Sequence, residues 1–102
     1  TPVKMLIYEM SDFETLPKFE NLRLLDLRKS SVKDDLFSHL SRLKKLEWFN
    51  VGDYKITRGN LDNIASLTDL KAIKCTAISP ELIKYFNQKR SKLGLNEVNF
   101  DH

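Results

Sequence analysis

Residues 46–70 read LEWFNVGDYKITRGNLDNIASLTDL, and this stretch decides the fold. Its apolar residues fall in two regimes. Leu46, Phe49 and Val51 end in strict alternation, the pattern of a short strand with one buried face. Leu61, Ile64, Leu67 and Leu70 recur every three residues, which suits one side of a helical or 3₁₀ segment. One unit therefore holds a strand and a return.

The pattern extends in both directions. Leu22, Leu46 and Leu70 are spaced by 24 residues each time. Each is followed by apolar residues three and five positions on: Leu25 and Leu27, Phe49 and Val51, Ile73 and Cys75. Val3, Leu6 and Tyr8 precede these sets, and Leu95, Val98 and Phe100 follow them. The return half repeats too, with Phe37, Leu40 and Leu43 aligning with Leu61, Ile64 and Leu67. Ser79-Pro80-Glu81 is a helix start: a serine cap, a proline at the first helical position and an acidic first turn. Ile83 and Phe86 then supply the apolar face of that helix. The first unit is shorter. It offers Phe13, Leu16 and Phe19, and Pro17 argues for turns there rather than a full helix. A lone strand–return unit cannot cover its own apolar side, but stacked units share one core. A bundle of leucine-rich helices could show the same spacing. It would not put the β-favouring Phe49, Val51, Ile73 and Val98 at equivalent positions.

The stretch from Leu46 to Leu70 resembles the leucine-rich-repeat family, carried by Leu46, Phe49, Val51, Ile56, Thr57, Leu61, Ile64, Leu67 and Leu70. The unit from Leu22 to Leu46 and the run Ala77-Ile78-Ser79-Pro80 are similar, so the resemblance covers nearly the whole chain. Its flavour is that of the 24-residue bacterial or ribonuclease-inhibitor-like repeats. The chain departs from the family at the usual asparagine position, which holds Ser30 and Tyr54, so no asparagine ladder is expected. The resemblance implies an α/β leucine-rich-repeat solenoid with about five short parallel strands and helical or 3₁₀ returns. It also implies a concave binding face formed by the strands.

Alternation says which side chains that face would carry. With Leu25 and Leu27 in the core, Leu24, Asp26 and Arg28 point away from it. The equivalent sets are Met5, Ile7 and Glu9; Trp48, Asn50 and Gly52; Ala72, Lys74 and Thr76; and Glu97, Asn99 and Asp101. Across the strands one column reads Met5, Leu24, Trp48, Ala72, Glu97. Large apolar residues rimmed by charge are usual interface anatomy, and Trp and Arg are common hot spots. The expected partner-binding set is Met5, Ile7, Leu24, Asp26, Arg28, Trp48, Asn50 and Lys74. The competing reading is that an upstream segment packs over this corner, or that Trp48 lies across its neighbours as exposed core.

Composition bounds the function classes. Of 102 residues, 41% are hydrophobic and 30% charged, which suits a folded chain and not a disordered one. No apolar run is long enough for a membrane span, so no membrane partner is expected. A single cysteine allows neither an intramolecular disulfide nor a cysteine-based zinc site, and no N-x-S/T acceptor occurs. Both absences favour an intracellular, cytoplasmic protein. The net charge of +3 is weakly basic, with acidic residues mixed throughout. Arg42, Lys44 and Lys45 form one basic cluster, and Lys84, Lys89, Arg90 and Lys92 another. Both fall on return segments, where cations offset helix dipoles and stay solvated, so nucleic acid is an unfavoured partner. His39 and His102 are the only histidines. No phosphate loop or nucleophile elbow is present, and Cys75 falls on a core-facing position, so neither catalysis nor a cofactor or metal is expected.

The reading is a single domain over residues 1–102, forming the C-terminal part of a longer protein, since Thr1 rather than Met stands first. The uncapped strand at Val3 then pairs with upstream repeats or, alternatively, self-associates with another chain. The expected function is a non-enzymatic protein–protein interaction module. The alternatives are a small inhibitor or immunity-type protein that occludes an enzyme, and a basic nucleic-acid surface.

Overall fold

A computed structural model describes the backbone of residues 5–7, 19–28 and 32–101, and the side chains of the last two ranges. The elements run β1 (Met5–Ile7), β2 (Leu24–Asp26), α1 (Leu36–Leu40), β3 (Trp48–Gly52), α2 (Arg58–Ile64), β4 (Ala72–Cys75), α3 (Pro80–Lys92) and β5 (Asn99–Asp101). The expectations at Val3, Tyr8, Glu9, Phe13, Leu16, Pro17, Ser30 and His102 lie outside the described residues.

The architecture is α/β. The strands form one sheet in the order β1-β2-β3-β4-β5, and every neighbouring pair is parallel. Leu25 pairs with Phe49 and Phe49 with Ile73, so the register advances by the expected 24 residues from β2 to β4. The carbonyls of Arg23, Glu47 and Lys71 accept, in turn, the amides of Glu47, Lys71 and Asn99, each at 2.8 Å. That ladder starts each strand level with the next.

The returns form where the sequence supplies caps. Thr57 opens α2 with a capping box: its hydroxyl accepts the Asn60 amide while Asn60 Oδ1 accepts the Thr57 amide. Ser79 caps α3 by accepting the Leu82 amide, with Pro80 behind it. Just past the end of α3, Gly94 turns the chain with a φ of 75°, a conformation only glycine adopts freely. Between sheet and returns lies one core. Leu25, Phe49 and Ile73 enter it from the strands, and Phe37, Leu40, Leu61, Ile64 and Phe86 from the helices. Tyr54, at the expected asparagine position, packs its ring 5.7 Å from that of Phe37 and donates its hydroxyl to Asp34.

Two expectations are corrected. The fifth strand does not keep the spacing: Ile73 pairs with Phe100, not Val98, so Asn99 and not Glu97 stands beside Ala72. The cause is α3, which at 13 residues is longer than α1 or α2 and delays the strand. Phe100 then meets Phe86 edge-on at 5.7 Å. Asn87 holds the approach to β5, accepting the Val98 amide at 2.8 Å and donating to the Val98 carbonyl at 3.1 Å.

The second correction concerns Arg90, expected among solvated cations. It is completely buried. Its guanidinium donates to the carbonyls of Ala65 (2.9 Å), Leu67 (2.8 Å), Leu70 (3.4 Å) and Asn96 (2.8 Å). Ala65 caps the end of α2, where carbonyls lack helical partners and carry the negative end of the helix dipole. Burial without a carboxylate pushes the guanidinium pKa below its ordinary value. Arg90 is thus an internal clamp joining α3, the α2 exit and the entry to β5.

Candidate functional site

The sheet has a second face, opposite the core, and the register sorts it into rows. Leu24, Trp48 and Ala72 stand side by side across β2, β3 and β4. All three are half-buried, and none belongs to the core cluster or packs against it. Their neighbours in sequence, Leu25, Phe49 and Ile73, are fully buried on the other side. Met5 and Ile7 extend the two rows by backbone pairing with Leu24 and Asp26. Their side chains lie outside the described residues.

The next row is Asp26, Asn50 and Lys74. Only Lys74 is exposed there. Asp26 and Asn50 keep 4% and 3% of their surface, which corrects the expectation that they face solvent. Each closes a turn at the end of its strand. Asp26 Oδ1 accepts the Arg28 amide at 3.1 Å, and Asn50 Oδ1 accepts the Gly52 amide at 2.9 Å. Such two-residue closures are what Asp and Asn side chains do best. Gly52 needs the help of its own backbone freedom, with φ at 61° and the Arg28 backbone 3.5 Å from where a Cβ would stand. Arg28 itself is exposed, and its Nε lies 3.2 Å from the Asp26 carboxylate.

A third row escaped the reading of the sequence. Arg23, Glu47 and Lys71 precede the three strands. Glu47 takes Arg23 on one oxygen and Lys71 on the other, the latter at 3.2 Å. Those two cations, through their hydrogen bonds, hold the Glu47 carboxyl below its usual range, and Glu47 raises Arg23 in return. A signal existed: charges of opposite sign recur at the 24-residue spacing just before each strand. It lay one position outside the alternation used to choose face residues.

The remaining candidates are elsewhere. His39 is half-buried in α1. Cys75 is fully buried, and burial pushes its thiol up to about 11, which leaves little thiolate for nucleophilic attack. Among the described residues no group of His, Cys, Asp and Glu is placed to hold a metal ion, and no helix is long and apolar enough to cross a membrane. The basic clusters are partly engaged. Lys45 donates to Asn21, Lys44 to the Ser41 carbonyl and Lys89 to Asp62, while Arg90 is withdrawn into the core.

No protein-family model, no curated protein and no solved structure matches the chain.

Proposed function

We propose that this chain is a leucine-rich-repeat module that binds another protein through the sheet face carrying Leu24, Trp48 and Ala72. The observation that carries the reading is that row: three apolar side chains in register on the face turned away from the core. A half-buried tryptophan beside a leucine offers large contact area at small entropic cost, the usual make-up of a hot spot. The 24-residue register and the ladder at the strand starts support the repeat reading, since each unit leans only on its neighbours. The single buried thiol and the lack of a glycosylation acceptor support placing the module inside the cell.

The test is side-by-side affinity capture with the chain, its Trp48→Ala variant and its Ala72→Glu variant, each checked for an unchanged urea midpoint. Ala72→Glu adds bulk and charge to the apolar row while keeping the Ala72 Cβ, so it stands in if Trp48→Ala weakens the fold. Partners retained by the parent and lost by both variants support the reading. A partner set that neither variant alters overturns it.

A further inference from the structure

Around Trp48, over β2 to β4, each ion pair leaves its cation more exposed than its carboxylate. Arg23, Arg28 and Lys71 keep 46%, 58% and 74% of their side-chain surface, whereas Glu47 and Asp26 keep 18% and 4%. Lys74 is exposed as well. The register brackets the apolar row with these groups. Arg23 and Lys71 immediately precede Leu24 and Ala72, while Lys74 lies in the next row and Arg28 just beyond the end of β2. Rows two residues apart along a strand are separated by roughly 7 Å, and neighbouring strands by roughly 4.8 Å. A segment anchored on Trp48 therefore meets Lys74 in the adjoining row, with Arg28 beyond the end of β2 and Arg23 and Lys71 at the strand starts. Glu47 and Asp26 pair with Arg23, Lys71 and Arg28 themselves, and in each pair the cation is the member that a partner can reach more readily. Toward β5 the sign changes, since Asp101 stands beside Lys74, and Asp69 and Glu97 line the shallow hollow next to Lys71.

We propose that the occupant of this face is an acidic protein segment, with one large apolar side chain seated on the Leu24–Trp48–Ala72 row and carboxylates on its flanks. This rests on the docking reading above and adds the partner's chemistry to it. The carboxylates lie over β2 to β4, and the segment's neutral or basic end lies over β5. Exposed cations of this kind act mainly on encounter rate and specificity, so binding weakens as salt rises.

A random-peptide library displayed on phage and selected on the immobilised chain tests this, with Trp48→Ala, Lys71→Gln and Lys74→Gln in parallel and a single-stranded oligouridylate as competitor. The expected result is enrichment of Asp and Glu around a Trp, Phe or Leu. Those peptides should be lost with Trp48→Ala and weakened about threefold to tenfold by each lysine variant and by a rise from low to physiological salt. Apolar peptides without acidic bias, lost with Trp48→Ala, overturn the acidic-partner inference and leave the docking face standing. A library yielding no binder that Trp48→Ala loses overturns the docking face itself. Oligouridylate that binds more tightly than the best peptide assigns the face to nucleic acid and overturns the inference.

Discussion

Replacing Arg90 by methionine is the sharpest test of how this small fold is held. Methionine keeps an unbranched apolar stem but stops where the arginine Nε stands and carries no donor. The Ala65 and Leu67 carbonyls, now bonded at 2.9 and 2.8 Å in a site of no exposure, would lose charge-assisted bonds; the contacts to Leu70 and Asn96 would go with them. A buried acceptor left without a partner costs about 1–3 kcal/mol. The costs do not add in full, because relief of guanidinium desolvation returns part of them and the α2 exit can relax. A net loss of about 3–5 kcal/mol follows. A chain of this length has a total stability of roughly 5–15 kcal/mol, so the loss is a large share of it.

Urea unfolding followed by circular dichroism measures the effect. With a slope of about 2 kcal/mol per molar urea, the midpoint should fall by roughly 1.5–2.5 M. Arg90→Lys should fall between the parent and Arg90→Met, because one ammonium cannot span four carbonyls. Lys89→Met on the same helix is the control. Its ion pair with Asp62 is about two-fifths exposed on each side, so its loss should move the midpoint far less than Arg90→Met does. A midpoint for Arg90→Met within about 0.5 M of the parent would refute the clamp, since it would mean that water or relaxation satisfies those carbonyls.

Three further outcomes follow from single contacts. The Cys75 thiol is raised to about 11 by burial, so the fold holds that proton more tightly than the unfolded chain does. Its contribution is full below about pH 9 and is lost as pH rises through about 11, so the parent should lose stability relative to Cys75→Ala across that window in urea titrations, by up to about 2–3 kcal/mol. Asn87→Ala removes both bonds to Val98, and hydrogen exchange should show faster exchange of the Val98 amide and of β5, with a stability loss of about 1–3 kcal/mol. Asn50→Ala should cost a similar amount in urea unfolding by leaving the Gly52 amide without its acceptor, and an unchanged midpoint would return Asn50 to the pool of pure contact residues.

The parts of the fold legible in the sequence are those set by local pattern. The 24-residue spacing gave the pairing of β2, β3 and β4, and Ser79-Pro80-Glu81 gave the start of α3. What the pattern could not give depends on length and on distant partners. The fifth strand slips by two residues because α3 runs longer than its counterparts, and nothing at Val98 or Phe100 announces which of two apolar residues will meet Phe86. Arg90 looked like one more cation at a helix end. Its reach to Ala65 and Leu67 spans more than twenty residues of chain, a separation that periodicity does not encode. Asp26 and Asn50 obeyed the alternation in direction, yet their short side chains folded back onto amides two residues ahead.

The candidate face therefore carries two kinds of residue. Asp26 and Asn50 serve the strand ends, so changing them alters stability and recognition together, and a lost partner would not say which had failed. Asp26 also steadies Arg28, so the same objection reaches one of the exposed cations. Lys71 and Lys74 are different. Both are exposed, the Lys71 side chain bonds only Glu47 among the described residues, and Glu47 keeps Arg23 when Lys71 is removed. Removing either lysine costs little stability while changing the charge beside Trp48 by a full unit. The face is therefore tested at its edges and at Trp48, and not at the two polar residues that alternation alone would have placed at its centre.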